Sequence, residues 1–149
     1  MAMSGISLDD NVLTKFTKMK ITKKTDSDVQ GAKSKCLMMK FDNTDKHVIE
    51  DLAQDWDKMD FDTLKSSLPD DDVRYFVYDL SYTTAGGVDN AKLILVMWCP
   101  ESAKVKRKML GSSTFENVKK KLDGVGVIIQ ANDLSDLDTD SIQKKLMKA

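Results

Sequence analysis

Residues 91–98, Ala-Lys-Leu-Ile-Leu-Val-Met-Trp, are the stretch that most restricts what this chain can fold into. A run apolar on both alternating faces reads as a strand covered on both sides, which requires layers above and below it. Upstream, Val73 to Tyr82 (VRYFVYDLSY) is rich in β-branched and aromatic residues and reads as a second strand. Between them, Thr84 to Asn90 carries Gly86-Gly87 and reads as a hairpin loop.

The other elements follow from periodicity. Ser7-Leu8-Asp9-Asp10, followed by Val12, Leu13, Phe16 and Met19, predicts a capped amphipathic helix. Ile21 to Lys35 is polar and reads as a loop. Cys36 to Phe41 and His47 to Leu52 read as strands around Asp42-Asn43-Thr44-Asp45. Phe61 to Leu68 reads as a short helix stopped by Pro69. A long helix is expected from Glu101 to Leu122, a strand from Val127 to Ala131, and a last helix from about Ser135 to Met147. The order is α-β-β-α-β-β-α-β-α, with no internal repeat. An α+β fold is expected, a mixed sheet of about five strands flanked by helices on both faces, in a single domain over 1–149. Trp98 and Tyr78 are expected in the core, whereas Trp56 stands in a polar stretch compatible with exposure.

Charge is unevenly distributed. The net charge is −1, yet residues 42–72 hold eleven acids against three bases, and 101–122 hold seven bases against two acids. Lys104, Lys106, Arg107 and Lys108 crowd the start of the long helix, where the helix dipole favours anions. On that helix Val105 and Met109 point about 120° away from Phe115, Val118 and Leu122. Either the helix bends at Gly111-Ser112-Ser113 so that one core receives both groups, or Met109 faces outward among the lysines as part of a protein-binding surface.

Chemical signatures fail in turn. No phosphate-binding glycine loop and no nucleophile elbow is present. His47, the one histidine, has no companion residues at metal or nucleophile spacing and reads as structural. Asp136-x-Asp138-x-Asp140 opens like a calcium loop, but Ser141 and Met147 stand where Gly and Glu are needed. No enzyme, cofactor or metal is expected. Nucleic acid is a poor partner, because the acidic half would repel phosphate and no stacking platform is evident. Cys36 and Cys99 sit in apolar strands and read as buried thiols of a reducing compartment. Met1 to Asp10 lacks a signal-peptide pattern and no apolar run approaches the roughly 18 residues of a membrane span, so a cytoplasmic protein is expected.

Several stretches, taken in order, resemble the ADF/cofilin family of actin-binding proteins. They are Met3-Ser4-Gly5-Ile6, Val73-Arg74-Tyr75 with Tyr78-Asp79, and Leu93 to Trp98 leading into Pro100-Glu101-Ser102-Ala103. Lys106-Arg107-Lys108-Met109, Ser112-Ser113, Lys119-Lys120-Lys121-Leu122 and Ile129-Gln130-Ala131-Asn132-Asp133 complete the set. The resemblance implies a monomeric protein that binds G-actin and F-actin, prefers the ADP state, and promotes severing and depolymerisation. It implies a monomer-type contact at Ser4, Gly5, Ile6, Lys106, Lys108 and Met109. A filament contact is implied at Lys92 beside the hairpin loop, with Lys145 and Lys148 on the last helix. Phosphoinositide candidates are Lys106, Lys108, Lys119, Lys120 and Lys121, and Ser4 is the candidate phosphorylation site. The chain departs from the family pattern in a hairpin loop with little positive charge, in Lys104 where Pro is common, in Lys144 where an acid is common, and in a long 21–35 connection. No clear nuclear-entry signal is present. A relative that binds filaments or an actin regulator without severing, or a phosphoinositide-binding adaptor, are the alternatives.

Overall fold

A computed structural model describes residues 6–21, 36–84 and 86–148. Among the described residues six strands form one mixed sheet: β1 (Ser7–Leu8), β2 (Cys36–Phe41), β3 (His47–Glu50), β4 (Arg74–Thr83), β5 (Asp89–Trp98) and β6 (Val127–Ala131). Their order across the sheet is β1-β3-β2-β4-β5-β6. The outer pairs, β1 with β3 and β5 with β6, are parallel; the inner ones are antiparallel. The α-helices among the described residues are α1 (Asp10–Ile21), α2 (Phe61–Ser67), α3 (Val105–Lys121) and α4 (Thr139–Lys148). Among the described residues no helix is long and apolar enough to cross a membrane.

The two-residue period of the central strands divides the interior into two cores. Leu37 and Met39 of β2, Tyr75 and Val77 of β4, and Leu95 and Met97 of β5 face α1 and α3, where they meet Val12, Phe16, Phe115 and Val118. The alternate residues Met38, Phe76, Tyr78, Ile94, Val96 and Trp98 face α2 and α4, meeting Leu64, Ile142 and Leu146. This is why the Leu93 to Trp98 part of β5 reads as apolar on both faces. Both cysteines are buried and unbridged. Trp56 is also buried, packed in a 3-10 turn on the α2/α4 side despite its polar neighbours.

Several boundaries differ from the sequence reading, among them β3, which ends at Glu50 and not Leu52. Ser7 and Leu8, expected within a helix cap, pair in parallel with His47 and Val48, so α1 begins only at Asp10. Pairing with a strand forty residues away leaves no trace in local periodicity. The β4/β5 ladder extends to Thr83 and Asp89, leaving only 84–88 as the hairpin loop, closed by Thr84 N–H to Val88 O at 2.8 Å. Glu101 to Ala103 form a turn, and α3 starts at Val105 with Lys104 as its N-cap. The expected final helix is two pieces. Asp133 caps a 3-10 turn at Leu134–Leu137, and Asp138 leaves helical geometry and accepts from Ser141 N–H at 3.1 Å at the start of α4.

Candidate functional site

The first turns of α3 expose apolar side chains beside cations. Val105 is 70% and Met109 68% exposed, one above the other on the helix. With Lys106, Leu110 and Ser113 they line a shallow hollow. Gly111, Thr114, Phe115 and Val118 are the buried side of α3, so the helix does not bend to bring Met109 inward; Met109 faces out. At 3.6 residues per turn, Lys106 and Lys108 flank the Val105–Met109 stripe, each roughly 80° from its centre. Lys106 is exposed and Lys108 half-buried. Burial pushes the Cys99 thiol up, partly opposed by the Lys108 charge. Val105 shares Met109's exposure but was not among the expected contact residues; the four-residue spacing of the pair was its signal.

The cation count at the helix start has a structural component. Arg107 Nη1 lies 2.7 Å from Asp45 Oδ1, and Arg107 Nε lies 3.4 Å from Asp72 Oδ1. Its guanidinium also stands over the Phe41 ring, 5.6 Å from the centroid. Asp72 in turn binds Arg74 Nη1 at 2.8 Å. Burial pushes the Asp72 carboxyl up, but the bonds from Arg74 and Val73 N–H and the charges of Arg74 and Arg107 outweigh it and hold it below the usual range. One of the four cations is thus turned inward as a tether. Further down, Tyr75 Oη donates to Gly111 O at 2.6 Å, fastening α3 to β4.

The amino-terminal part of the expected contact is partly described. Ser4 and Gly5 lie outside the described residues. The Ile6 side chain is buried in the α1/α3 core, and its carbonyl accepts from Asn117 Nδ2 at 3.0 Å. The chain therefore enters along the Asn117 edge of α3. His47 Nδ1 is 3.0 Å from Ser7 Oγ, beside the β1/β3 pairing that steadies this entry.

The expected filament residues sit at the other end of the sheet. Lys92 pairs across the ladder with Leu80, and its stem lies against Gly126, where Leu146 of α4 also packs. Lys145, beside Leu146, is exposed, whereas the side chain of Lys148 lies outside the described set. Fold-level packing thus joins β5 and the end of α4, which are distant in sequence. At the hairpin tip, Gly87 has a positive φ of 81° and Val88 is 63% exposed. The phosphoinositide candidates do not form one patch. Lys119 pairs with Glu116 and lies over Phe115, while Lys120 and Lys121 are exposed about 20 Å along the helix from Lys106. Asp136 and Asp138 serve as caps.

Residues 5–147 match the family described as Cofilin/tropomyosin-type actin-binding protein. Actin-depolymerizing factor 3 of Zea mays is 31% identical over 144 residues, covering 97% of this chain and 96% of that protein. Actophorin of Acanthamoeba castellanii is 30% identical over 146 residues, covering 98% of each. The crystal structure of Streptomyces griseoflavus cofilin superposes with a TM-score of 0.79 at 27% identity, covering 97% of this chain and 99% of that one. With the family pattern running through both the α3 surface and the β6–α4 return, this chain belongs to the ADF/cofilin family.

Proposed function

We propose that the protein binds actin monomers and filaments, prefers the ADP state, and promotes severing and depolymerisation. The observation that carries this reading is the exposed Val105–Met109 stripe held between Lys106 and Lys108. An apolar centre with a cationic rim suits a partner groove that is apolar inside and acidic at its edges. Lys106, Lys108 and Met109, with Ser4, Gly5 and Ile6 beside them, form the monomer-type contact. Lys92, Lys145 and Lys148 contribute the filament contact. Phosphoinositides compete through Lys106 and Lys108, with Lys119, Lys120 and Lys121 adding long-range attraction. Phosphate on Ser4, two residues from buried Ile6, adds a charge of about −1.5 to −2 beside a surface that meets an acidic partner. The protein acts as a cytoplasmic monomer of one domain.

A second reading, a filament binder without severing, is favoured by the hairpin tip, where Gly86, Gly87 and Val88 present no cation. Sedimentation with ADP-actin separates the two. Wild type is expected to pellet with filaments and to raise unpolymerised actin. Lys106→Glu/Lys108→Glu should weaken both by about ten-fold or more, equivalent to about 1.4 kcal/mol. Co-sedimentation without a rise in the supernatant selects the second reading, and no binding by wild type ends both.

A further inference from the structure

The first two turns of α3 carry the Val105–Met109 stripe, yet they lack what ordinarily holds a helix start. Lys104 stands at the N-cap with no side-chain hydrogen bond to the turn, and no acid stands in the first turn. The cations there oppose the dipole. Burial does not compensate. Val105, Lys106 and Met109 are exposed and Arg107, Lys108 and Leu110 half-buried, so the buried side of the helix begins only at Gly111. A helix end of this kind frays unless packing, capping or charge offsets the entropy of ordering it.

Arg107 supplies the hold. At 3.6 residues per turn its side chain leaves the helix about 180° from the centre of the Val105–Met109 stripe, and so points away from anything seated on it. Asp45, in the β2–β3 turn, meets its Nη1 at 2.7 Å, and Asp72, just before β4, meets its Nε at 3.4 Å. Asp72 is itself fixed, by Arg74 Nη1 at 2.8 Å and by Val73 N–H at 2.9 Å. Arg74 Nε in turn reaches the buried Asp51, just after β3, at 3.1 Å. Charges of alternating sign thus run Asp51–Arg74–Asp72–Arg107–Asp45, tying the first turn of α3 to the β2–β3 turn, the end of β3 and the start of β4. Part-buried pairs that share members hold their geometry better than isolated surface pairs do.

We propose that Arg107 is a positioning residue, held by Asp45 and Asp72, that orders the first two turns of α3 before any partner arrives. Lys106, Lys108 and Met109 are then presented in their bound arrangement, and Arg107 itself does not touch the partner. Ordering before contact removes part of the entropic cost of association. The inference rests on the actin reading for the identity of the partner; the order of the free helix does not depend on it.

Asp45→Asn gives the test its sign. At its positive φ of 58° Asn is as acceptable as Asp, so the turn keeps its shape. The substitution removes a negative charge close to α3, so charge alone would strengthen binding to an acidic partner. Loss of the tether predicts weaker binding instead. The ¹⁵N-labelled full chain is first followed by amide hydrogen exchange without a partner. Protection at Lys108, Met109 and Leu110 should fall by about ten-fold in Asp45→Asn and in Arg107→Ala, with Phe115 and Val118 unchanged. Monomeric ADP-actin is then titrated. Each variant should bind about five- to ten-fold more weakly than wild type, and Asp45→Asn should add no further loss to Arg107→Ala. The proposal is overturned if exchange at these three amides is unchanged, if it rises equally at Phe115 and Val118, or if Asp45→Asn binds actin as tightly as wild type or more tightly. Weakening by Arg107→Ala alone would make Arg107 a direct contact, and also overturns it. A wild type that binds no actin ends the actin reading, and the exchange result then decides the ordering role by itself.

Discussion

At Gly111 an added Cβ would stand 2.9 Å from Val73 Cγ1, closer than real carbon contacts permit. Val73 is itself buried and β-branched, so it has little freedom to turn aside. Glycine at this point lets α3 approach the start of β4, and Tyr75 seals the contact through its bond to the Gly111 carbonyl. Two effects oppose each other in Gly111→Ala. Helix propensity gains up to about 1 kcal/mol. Overpacking against Val73 costs about 1–3 kcal/mol. The steric term should win, lowering the urea midpoint by an amount equivalent to about 1 kcal/mol net. Adding Val73→Ala to Gly111→Ala should reduce the steric part, which a double-mutant cycle measures. The Gly-Ser group was legible in sequence as a special position, but as a kink; the close approach depends on β4, nearly forty residues earlier.

The start of α3 shows how an element is placed by charges remote from it. A cation in the first turn of a helix opposes the dipole by about 0.3–1 kcal/mol. Arg107 is nevertheless favourable where it stands, because Asp45 of the β2–β3 turn and Asp72 before β4 both meet it. Asp45 adopts a positive φ of 58° there. Because the folded carboxyl of Asp72 lies below the ordinary 3.8, its stabilisation is present above that value and lost as pH falls through the lower folded one. Asp72→Asn should therefore cost about 1 kcal/mol at neutral pH, as a half-exposed ion-pair network does. The cost should vanish at the most acidic pH at which the fold survives. Denaturation midpoints of wild type and variant between neutral and acid pH check this; a gap that widens on acidification would contradict it.

At the scale of the molecule, the two candidate actin contacts sit at opposite ends of the sheet. Lys92 and Trp98 are six residues apart on β5, about 20 Å at strand rise. The α3 start lies beyond Trp98, while Lys145 and the hairpin tip lie at the other end. Charge reversal at Lys145 is thus expected to leave monomer affinity within about two-fold and to reduce filament co-sedimentation by roughly ten-fold, or about 1.4 kcal/mol. Equal loss of both would show that the ends do not act separately. Electrostatic filament binding falls with salt, so a salt-insensitive residue of binding would assign a share to the exposed Val88.

Sequence by itself determined the central strands, the main helices and the faces they present. The period-two pattern of β2, β4 and β5 and the both-sides apolar run 91–98 already contained the two-core layering. The four-residue spacing of Val105 and Met109, off the Phe115–Val118 stripe, narrowed Met109 to a helix bend or an outward face, and the packing of α3 decided for the outward face. These are local consequences of side-chain geometry along one element. The tertiary structure alone decided which polar groups meet. It paired Ser7–Leu8 with β3, turned Arg107 inward to Asp45 and Asp72, buried Ile6 and Trp56, and brought Lys92 to α4. Each depends on contacts between segments tens of residues apart, and packing of the sheet and helices sets those distances.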